Sequence, residues 1–187
     1  MRDFVEPRAG LVESLRRAGV RSERVLAAFA RVPRHLFVRP EDRARAYTDE
    51  ALPLGYGATI SQPYVIGLML EALALGGGER VLDVGSGSGY TTALLCELAA
   101  EVHAVELEPR LVAPARSLLR ELAYPHFLMQ AGDGRLGLPQ RAPFDAVLVR
   151  AACKELPDAL LLQLGPDGRL VPPVGGDTLF ANMYLAY

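Results

Sequence analysis

The sequence has no tryptophan, one lysine, one asparagine and three histidines among 187 residues. No apolar run approaches the roughly 18 residues of a membrane helix, and the first ten residues do not resemble a signal peptide, so we expect no membrane association. The two cysteines, Cys96 and Cys153, lack metal-ligand or CxxC spacing. We therefore expect a reduced, cytoplasmic protein without a bound metal ion.

What the chain does contain is typical of a folded domain, since half of the residues are hydrophobic and 22% are charged. Residues 1–45 hold 11 arginines against six acidic residues, although the net charge of the whole chain is −2. An arginine-rich start could contact RNA or an acidic peptide. We favour the alternative, a solvated face on two short helices, and expect no nucleic-acid partner.

Beyond residue 62, apolar segments alternate between helical and strand periodicity. Helices are predicted over about 63–75, 91–100, 109–122 and 155–164. Strands are predicted over 80–84, 102–106, 127–131, 144–149 and 169–174. This alternation predicts an α/β fold, a doubly wound and mostly parallel sheet with helices on both faces.

Two shorter helices are predicted before this core, over about 10–19 and 22–32, with Ser22 as the N-cap of the second. Residues 32–63 have no clear period, and so long an irregular segment usually belongs to a functional site. We expect one domain over 1–187. Its N-terminal helices and active-site loop would occupy 1–60, and the α/β core would occupy 61–187.

The segment VLDVGSGSGY (81–90) joins the predicted strand 80–84 to its helix. Gly85, Gly87 and Gly89 let the backbone approach a ligand closely, at the edge where a doubly wound sheet binds its ligands. The spacing differs from the G-x-G-x-x-G of dinucleotide binders. Asp83 would repel a diphosphate, but it would attract an ammonium or sulfonium group.

Glu106 ends the next predicted strand, where an acid accepts hydrogen bonds from ribose hydroxyls. Together with Asp83 and the glycines, it predicts a nucleoside with a cationic tail, and S-adenosyl-L-methionine fits that description. The alternative is a tight turn beside a surface acid. Asp133 could accept from the adenine amino group or close an Asp-Gly turn, and Thr59 and Ser61 could be N-caps of the helix near Pro63.

Six segments together resemble the protein-L-isoaspartate (D-aspartate) O-methyltransferases, over residues 11–177. They are VPRHLFV (32–38), GYGATISQPY (55–64), VLDVGSGSGY (81–90), GDGR (132–135), APFDAVLV (142–149) and GRLVPPVGG (168–176). The glycine motif is common among methyltransferases, whereas VPRHLF and GATISQP distinguish this family. The resemblance implies that Ser61 is the active-site residue. It implies a cofactor pocket formed by Ala58, Thr59, Ile60, Asp83, Gly85, Ser86, Gly87, Glu106, Leu107, Asp133 and Gly134.

The resemblance also implies a reaction and its partners. A methyl group would move from S-adenosyl-L-methionine to the free carboxylate of L-isoaspartyl and D-aspartyl residues in damaged peptides and proteins. That carboxylate, with a pKa of about 4, is ionised at neutral pH and needs no base. Ser61 would orient it by a hydrogen bond. The sequence agrees, because it shows no Ser-His-Asp set, metal cluster or histidine base.

Two departures from the family pattern keep other functions open. After the fourth strand the family usually has a run of small residues and a proline, and this chain has RAACKELP (150–157) there. DTLFANMYLAY (177–187) is shorter than the family's C-terminal hairpin. A protein that binds the cofactor without isoaspartyl turnover is one alternative. A nicotinamide-dependent oxidoreductase is another, disfavoured by Asp83 and the glycine spacing. We expect a monomer, with association through the C-terminal sheet edge as the alternative.

Overall fold

The computed structural model describes residues 4–151 and 157–171. The strands within these residues are β1 (Leu52–Gly55), β2 (Ala58–Ile60), β3 (Arg80–Val84), β4 (Glu101–Glu106), β5 (Phe127–Ala131), β6 (Phe144–Val149) and β7 (Leu164–Val171). The α-helices are α1 (Val5–Ala18), α2 (Glu23–Arg31), α3 (Pro63–Ala72), α4 (Tyr90–Cys96), α5 (Pro109–Glu121) and α6 (Asp158–Leu161).

Five strands form a parallel sheet in the order β5-β4-β3-β6-β7. Neighbouring residues of a strand point to opposite faces, and both faces are covered. Val81 and Leu82 are both fully buried, but they belong to two separate hydrophobic clusters. The predicted doubly wound α/β fold is therefore confirmed, with β3 at the centre of the sheet.

The core elements follow the sequence closely. The strands predicted over 80–84, 127–131 and 144–149 have those bounds, and the helix predicted over 109–122 spans Pro109–Glu121. The last predicted strand begins five residues early, at Leu164. Part of its predicted range lies outside the described residues. So do Cys153, Lys154 and the first two residues of the helix predicted over 155–164, which ends at Leu161.

The N-terminal extension consists of α1 and α2, which pack against α3. Ser22 is the N-cap of α2 as predicted, and its side chain accepts a hydrogen bond from the Val25 amide at 3.4 Å. The Glu71 carboxylate on α3 accepts the amide hydrogens of Arg21 and Ser22, at 2.8 and 2.5 Å. This carboxylate thereby joins the extension to the core.

The segment 32–63 contains regular structure that its sequence does not reveal. Two 3-10 helices span Arg34–Leu36 and Pro40–Arg45, and β1 and β2 pair as an antiparallel hairpin. Such short strands, interrupted by proline and glycine, carry no detectable period. The hairpin leads directly into α3 and lies on the side of the sheet where the glycine loop is found.

Arginines in residues 1–45 serve mainly internal contacts. Seven of them donate to carboxylates or backbone carbonyls of the chain: Arg8, Arg16, Arg24, Arg31, Arg34, Arg39 and Arg45. These bonds favour a structural role for the arginine excess, rather than a role in binding nucleic acid. No helix among the described residues is long and apolar enough to cross a membrane.

Candidate active site

The glycine loop between β3 and α4 has a backbone that other residues rarely adopt. Gly85, Gly87 and Gly89 have φ angles of +82°, +55° and +84°. The amides of Gly85 and Ser86 donate to the carbonyl oxygen of Val105 at 2.8 and 3.2 Å. These bonds hold the loop against the carboxyl end of β4, where the sequence predicted a ligand site.

Glu106 contacts this loop directly. Its Oε2 accepts the Gly87 amide hydrogen at 2.6 Å, and its Oε1 accepts the Glu108 amide hydrogen at 2.9 Å. The residue is only 8% exposed. A carboxylate oxygen can accept more than one hydrogen bond, so both oxygens retain the capacity to bind a hydroxyl. The predicted proximity of Glu106 to the glycine loop is thus present in the structure.

Asp83 lies in an environment that the sequence did not predict. It is completely buried on β3, where its Oδ2 accepts from the Thr92 hydroxyl at 2.6 Å. Its Oδ1 pairs with Nε of Arg150 at 3.1 Å, and Arg150 also donates to the Gly85 carbonyl. The charge of Asp83 is therefore balanced by a buried guanidinium, and its direct attraction for a cation is reduced.

Asp133 and Gly134 follow β5 and lie beside the same edge of the sheet. Both oxygens of Asp133 accept from Arg135, at 3.0 and 2.6 Å, and these bonds hold its pKa below the ordinary value. The Gly132 amide donates to the Glu106 carbonyl at 2.9 Å. A side chain at residue 134 would place its Cβ 2.5 Å from Val84 Cγ1, so only glycine fits there.

Ser61 lies between β2 and α3 and is half-buried. The prediction that Ser61 or Thr59 caps α3 is wrong, because Thr59 lies within β2 and Gln62 occupies the N-cap position without a side-chain bond. Asp49 supplies the capping oxygen instead, accepting the Tyr64 amide hydrogen at 2.8 Å. Among the described residues, the Ser61 hydroxyl has no hydrogen-bond partner.

The β1–β2 hairpin brings the Ser61 segment to the glycine loop. Leu54 Cδ1 on β1 lies 3.4 Å from the position that a Cβ of Gly87 would take. At the turn, the Tyr56 ring centroid is 3.8 Å from Cζ of Arg110 on α5. Leu107, between Glu106 and α5, is 72% exposed and is available to a ligand.

The remaining predicted pocket residues lie on the hairpin strand and the loop. Ile60 is buried, Ala58 is half-buried and Thr59 is exposed on β2, while Ser86 is 1% exposed. Sequence reasoning missed Asp49 and Arg150. The departure of RAACKELP (150–157) from the family pattern was the one available signal for Arg150, and nothing local marked Asp49.

Two of the histidines, His35 and His103, have structural contacts among the described residues. Burial lowers the pKa of His35, helped by Arg8 and Arg43, so this imidazole is neutral at pH 7. His103 lies in β4 and contacts Glu101, at the end of the strand opposite Glu106. The described residues contain no group of three or more His, Cys, Asp or Glu side chains that could hold a metal ion.

The sequence profile of the Protein-L-isoaspartate(D-aspartate) O-methyltransferase family matches residues 6–184 of the chain. This chain belongs to that family. The Protein-L-isoaspartate O-methyltransferase of Roseiflexus castenholzii is 49% identical over 174 residues, covering 93% of this chain and 80% of that protein. The one from Anaeromyxobacter dehalogenans is 53% identical over 166 residues, covering 88% and 79%.

Solved structures with the same architecture support the family membership. A protein-L-isoaspartate O-methyltransferase superposes with a TM-score of 0.80 and 29% identity, covering 89% of this chain and 55% of that one. A Plasmodium falciparum protein assigned to the same class, in complex with S-adenosyl-L-homocysteine, has a TM-score of 0.79 and 26% identity. That match covers 94% of this chain and 86% of the other.

The methyl donor of the family, S-adenosyl-L-methionine, fits the residues of this site. Glu106 has spare acceptor capacity for ribose hydroxyls, and the exposed Leu107 offers an apolar surface beside it. The Ser86 hydroxyl is buried without a hydrogen-bond partner among the described residues. A buried hydroxyl without a partner is unfavourable, so a ligand atom that met it would be stabilised.

Proposed function

We propose that this methyltransferase performs the family's reaction at the edge of the sheet formed by the glycine loop, Glu106 and the Ser61 segment. The reaction class follows from membership of the family: a methyl group is transferred to the free carboxylate of an L-isoaspartyl or D-aspartyl residue. The assignment of roles to individual residues is our proposal. The bonds that fix Glu106 and Ser61 support it.

Glu106 and the glycine loop would hold the methyl donor. When bound, S-adenosyl-L-methionine supplies an electrophilic methyl group on a sulfonium centre. The carboxylate of Glu106 would accept the ribose hydroxyls, since the amides of Gly87 and Glu108 already fix its orientation. Leu107 and Gly134 would border the adenine, with Asp133 as acceptor for its amino group.

Asp83 would act mainly by stabilising the loop. Its bonds to Thr92 and Arg150 join β3, α4 and the end of β6 around the first glycine. A fixed loop can present its amides to the carboxylate of the donor's methionine portion without a conformational cost at binding. The hairpin residues Ala58, Thr59 and Ile60 would cover the donor from the other side.

Ser61 would orient the substrate carboxylate by donating a hydrogen bond to one of its oxygens. The other oxygen would then attack the methyl carbon in line with the bond to sulfur, which breaks as the new ester forms. No proton is transferred, because the carboxylate is already ionised at neutral pH. Alignment is the main requirement of such a displacement, and a fixed hydroxyl supplies it.

The observation that carries the proposal is the position of Ser61. Its main chain is fixed beside the hairpin that touches the glycine loop, while its hydroxyl has no partner among the described residues. A serine held in this way is available to a ligand. The exposed Leu107 and the buried carboxylate of Glu106 support the proposal of a donor site on the same sheet edge.

The test is methyl transfer to a peptide that contains one isoaspartyl residue, with the aspartyl isomer as the matched control. Methylation of the first peptide alone is expected. If the protein binds S-adenosyl-L-homocysteine in a calorimeter but methylates neither peptide, it is a cofactor-binding protein without isoaspartyl turnover. Binding of NADH in place of S-adenosyl-L-homocysteine would indicate an oxidoreductase.

We also propose that the protein works as a cytoplasmic monomer. Cys96 is a free thiol buried on α4, and unpaired cysteines are usual in a reducing compartment. Sedimentation equilibrium at micromolar concentration should give the mass of one chain. A dimer would support association through the edge of the sheet.

A further inference from the structure

Arg34, in the VPRHLF segment, is a charged side chain that the structure buries completely. Burial lowers its pKa from the ordinary value, with Tyr90 and Asp49 acting in the opposite direction. Among the described residues, no carboxylate forms an ion pair with it. An arginine without a counter-ion is unfavourable in the interior unless its donors are satisfied, so its hydrogen bonds must matter to the fold.

The two terminal nitrogens bind three carbonyl oxygens from two segments of chain, whereas the buried Nε has no partner among the described residues. Nη1 donates to Ala46 at 2.6 Å, and Nη2 donates to Glu50 at 3.0 Å and to Ser61 at 3.1 Å. Ala46 and Glu50 precede the β1–β2 hairpin, and Ser61 follows it. One guanidinium therefore joins both ends of the hairpin.

The same guanidinium also contacts the start of α4. Its Cζ lies 5.7 Å from the ring centroid of Tyr90, the residue that follows the glycine loop. Tyr90 is 1% exposed and packs against the rings of Phe29 and Phe37. Tyr90 is fixed in the core. Because Arg34 contacts both the Tyr90 ring and the Ser61 carbonyl, it holds the main chain of Ser61 in a fixed position relative to the end of the glycine loop.

Asp49 restrains the chain immediately after Ser61. Its Oδ2 accepts from the Gln62 side chain at 2.9 Å, and its Oδ1 accepts from the Tyr64 amide. Ser61 is thereby held through its own carbonyl and through the residues that follow. Rotation about the Cα–Cβ bond is the main freedom left to its hydroxyl.

We infer that Arg34 is a positioning residue that aligns the Ser61 hydroxyl with the donor site, and this inference rests on the role proposed for Ser61. The planar fork of a guanidinium can bind several carbonyls in fixed directions, whereas an ammonium acts as a point donor. Lysine at position 34 would keep the charge but lose this geometry. A displacement of about 1 Å at an aligning group can lower a rate by up to about a hundredfold.

The test compares Arg34→Lys and Arg34→Met with the parent enzyme, with and without Ser61→Ala. We expect either Arg34 change to lower kcat by about tenfold, while the dissociation constant of S-adenosyl-L-homocysteine changes by less than about threefold. In the Ser61→Ala background, the same change should lower kcat by less than about twofold, because the group that Arg34 positions is gone. Turnover is measured per folded, donor-saturated molecule.

Arg24→Met is the matched control, since Arg24 also donates to two backbone carbonyls, those of Gly76 and Leu98, away from Ser61. It should lower the melting temperature and leave kcat unchanged. If Arg34→Met does not fold, the double-mutant cycle with Ser61→Ala is completed with Arg34→Lys alone.

Three outcomes contradict the inference. Parent turnover in folded Arg34→Lys, despite a slow Ser61→Ala enzyme, would overturn the inference and leave the proposed function intact. Losses that multiply in the double variant would show that Arg34 acts independently of Ser61. If Ser61→Ala itself turns over at the parent rate, the catalytic role of Ser61 fails first, and the inference fails with it.

Discussion

Arg150 and Asp83 form a buried ion pair beside the glycine loop, with Nε 3.1 Å from Oδ1 and side-chain exposures of 6% and 0%. The pair joins the carboxyl ends of β6 and β3, and Arg150 also binds the Gly85 carbonyl. An acid that precedes a glycine loop need not act as a free anion toward the ligand. In this chain it acts with Arg150 to fix the loop.

Removal of Arg150 should therefore destabilise the fold. Arg150→Met leaves Asp83 buried and unpaired, and we expect the free energy of unfolding to fall by about 3–5 kcal/mol. Adding Asp83→Asn should recover a large part of that loss. Urea unfolding of the single and double variants measures both effects.

Arg31→Met is the control for that experiment, because Arg31 pairs with Glu97 at 3.1 Å but is 64% exposed. Such a pair contributes at most about 1 kcal/mol. An Arg150→Met protein as stable as the Arg31→Met protein would show that the buried pair is not important for the loop.

Glu106 provides a direct test of the donor site. Glu106→Gln keeps the shape of the side chain but replaces a charged acceptor, and it should weaken S-adenosyl-L-homocysteine binding by about 1.5–3 kcal/mol. Glu101→Gln, at the opposite end of β4, should leave the dissociation constant unchanged. Isothermal titration calorimetry with both variants makes the comparison. If the two variants bind S-adenosyl-L-homocysteine with equal affinity, the ribose does not bind at Glu106.

Four strands of the sheet could be predicted from the sequence because they are short, mostly apolar runs that end at or just before a glycine or a charged residue. The strand 80–84 and the glycine loop are local features, and their relation to Glu106 follows from the adjacency of parallel strands. The fold class, the methyl donor and the family could therefore be predicted from the sequence. The hairpin at 52–60 was not, because its short strands carry no period and owe their pairing to the chain around them.

The side-chain contacts of the site could not be predicted from the sequence, for a different reason. Asp49 caps α3 from 15 residues away, and Arg150 reaches Asp83 across 67 positions. Contacts at such separations leave no pattern in one sequence. The expectation that Ser61 caps α3 was wrong because a local rule was applied where a distant carboxylate supplies the oxygen.

Gly134 offers a test of the packing beneath the GDGR segment. Gly134→Ala would place a methyl group 2.5 Å from Val84 Cγ1, so we expect a loss of about 1–3 kcal/mol in unfolding free energy. Gly10→Ala within α1 meets nothing within 4 Å and should instead stabilise the protein by about 0.5–1 kcal/mol. Thermal unfolding of both variants is the measurement, and a neutral Gly134→Ala would contradict the packing described.

Acidification should affect stability before it affects the chemical step. Burial lowers the pKa of His35 and His103 in the folded chain, so the unfolded chain binds more protons as pH falls below about 6.5. The free energy of unfolding should therefore decrease below pH 6.5 and show no such loss above it. His35→Gln should reduce this dependence, as measured by urea unfolding at each pH.

The value of kcat per folded molecule should stay level between pH 8 and 6, because the substrate carboxylate ionises near pH 4 and needs no base. A steep fall of kcat over this range, in protein that remains folded, would indicate a protein group that titrates near neutrality.

Alignment of the substrate carboxylate by the Ser61 hydroxyl is tested by the kcat of Ser61→Ala on an isoaspartyl peptide at saturating donor. We expect a loss of about ten- to a hundredfold, or about 1.4–2.7 kcal/mol, with unchanged S-adenosyl-L-homocysteine affinity. Ser61→Asp should be slower still, because its charge repels the carboxylate. Ser22→Ala, which removes the N-cap of α2, should lower stability by about 1 kcal/mol and leave kcat unchanged. Parent turnover in both Ser61 variants would show that the Ser61 hydroxyl does not align the substrate.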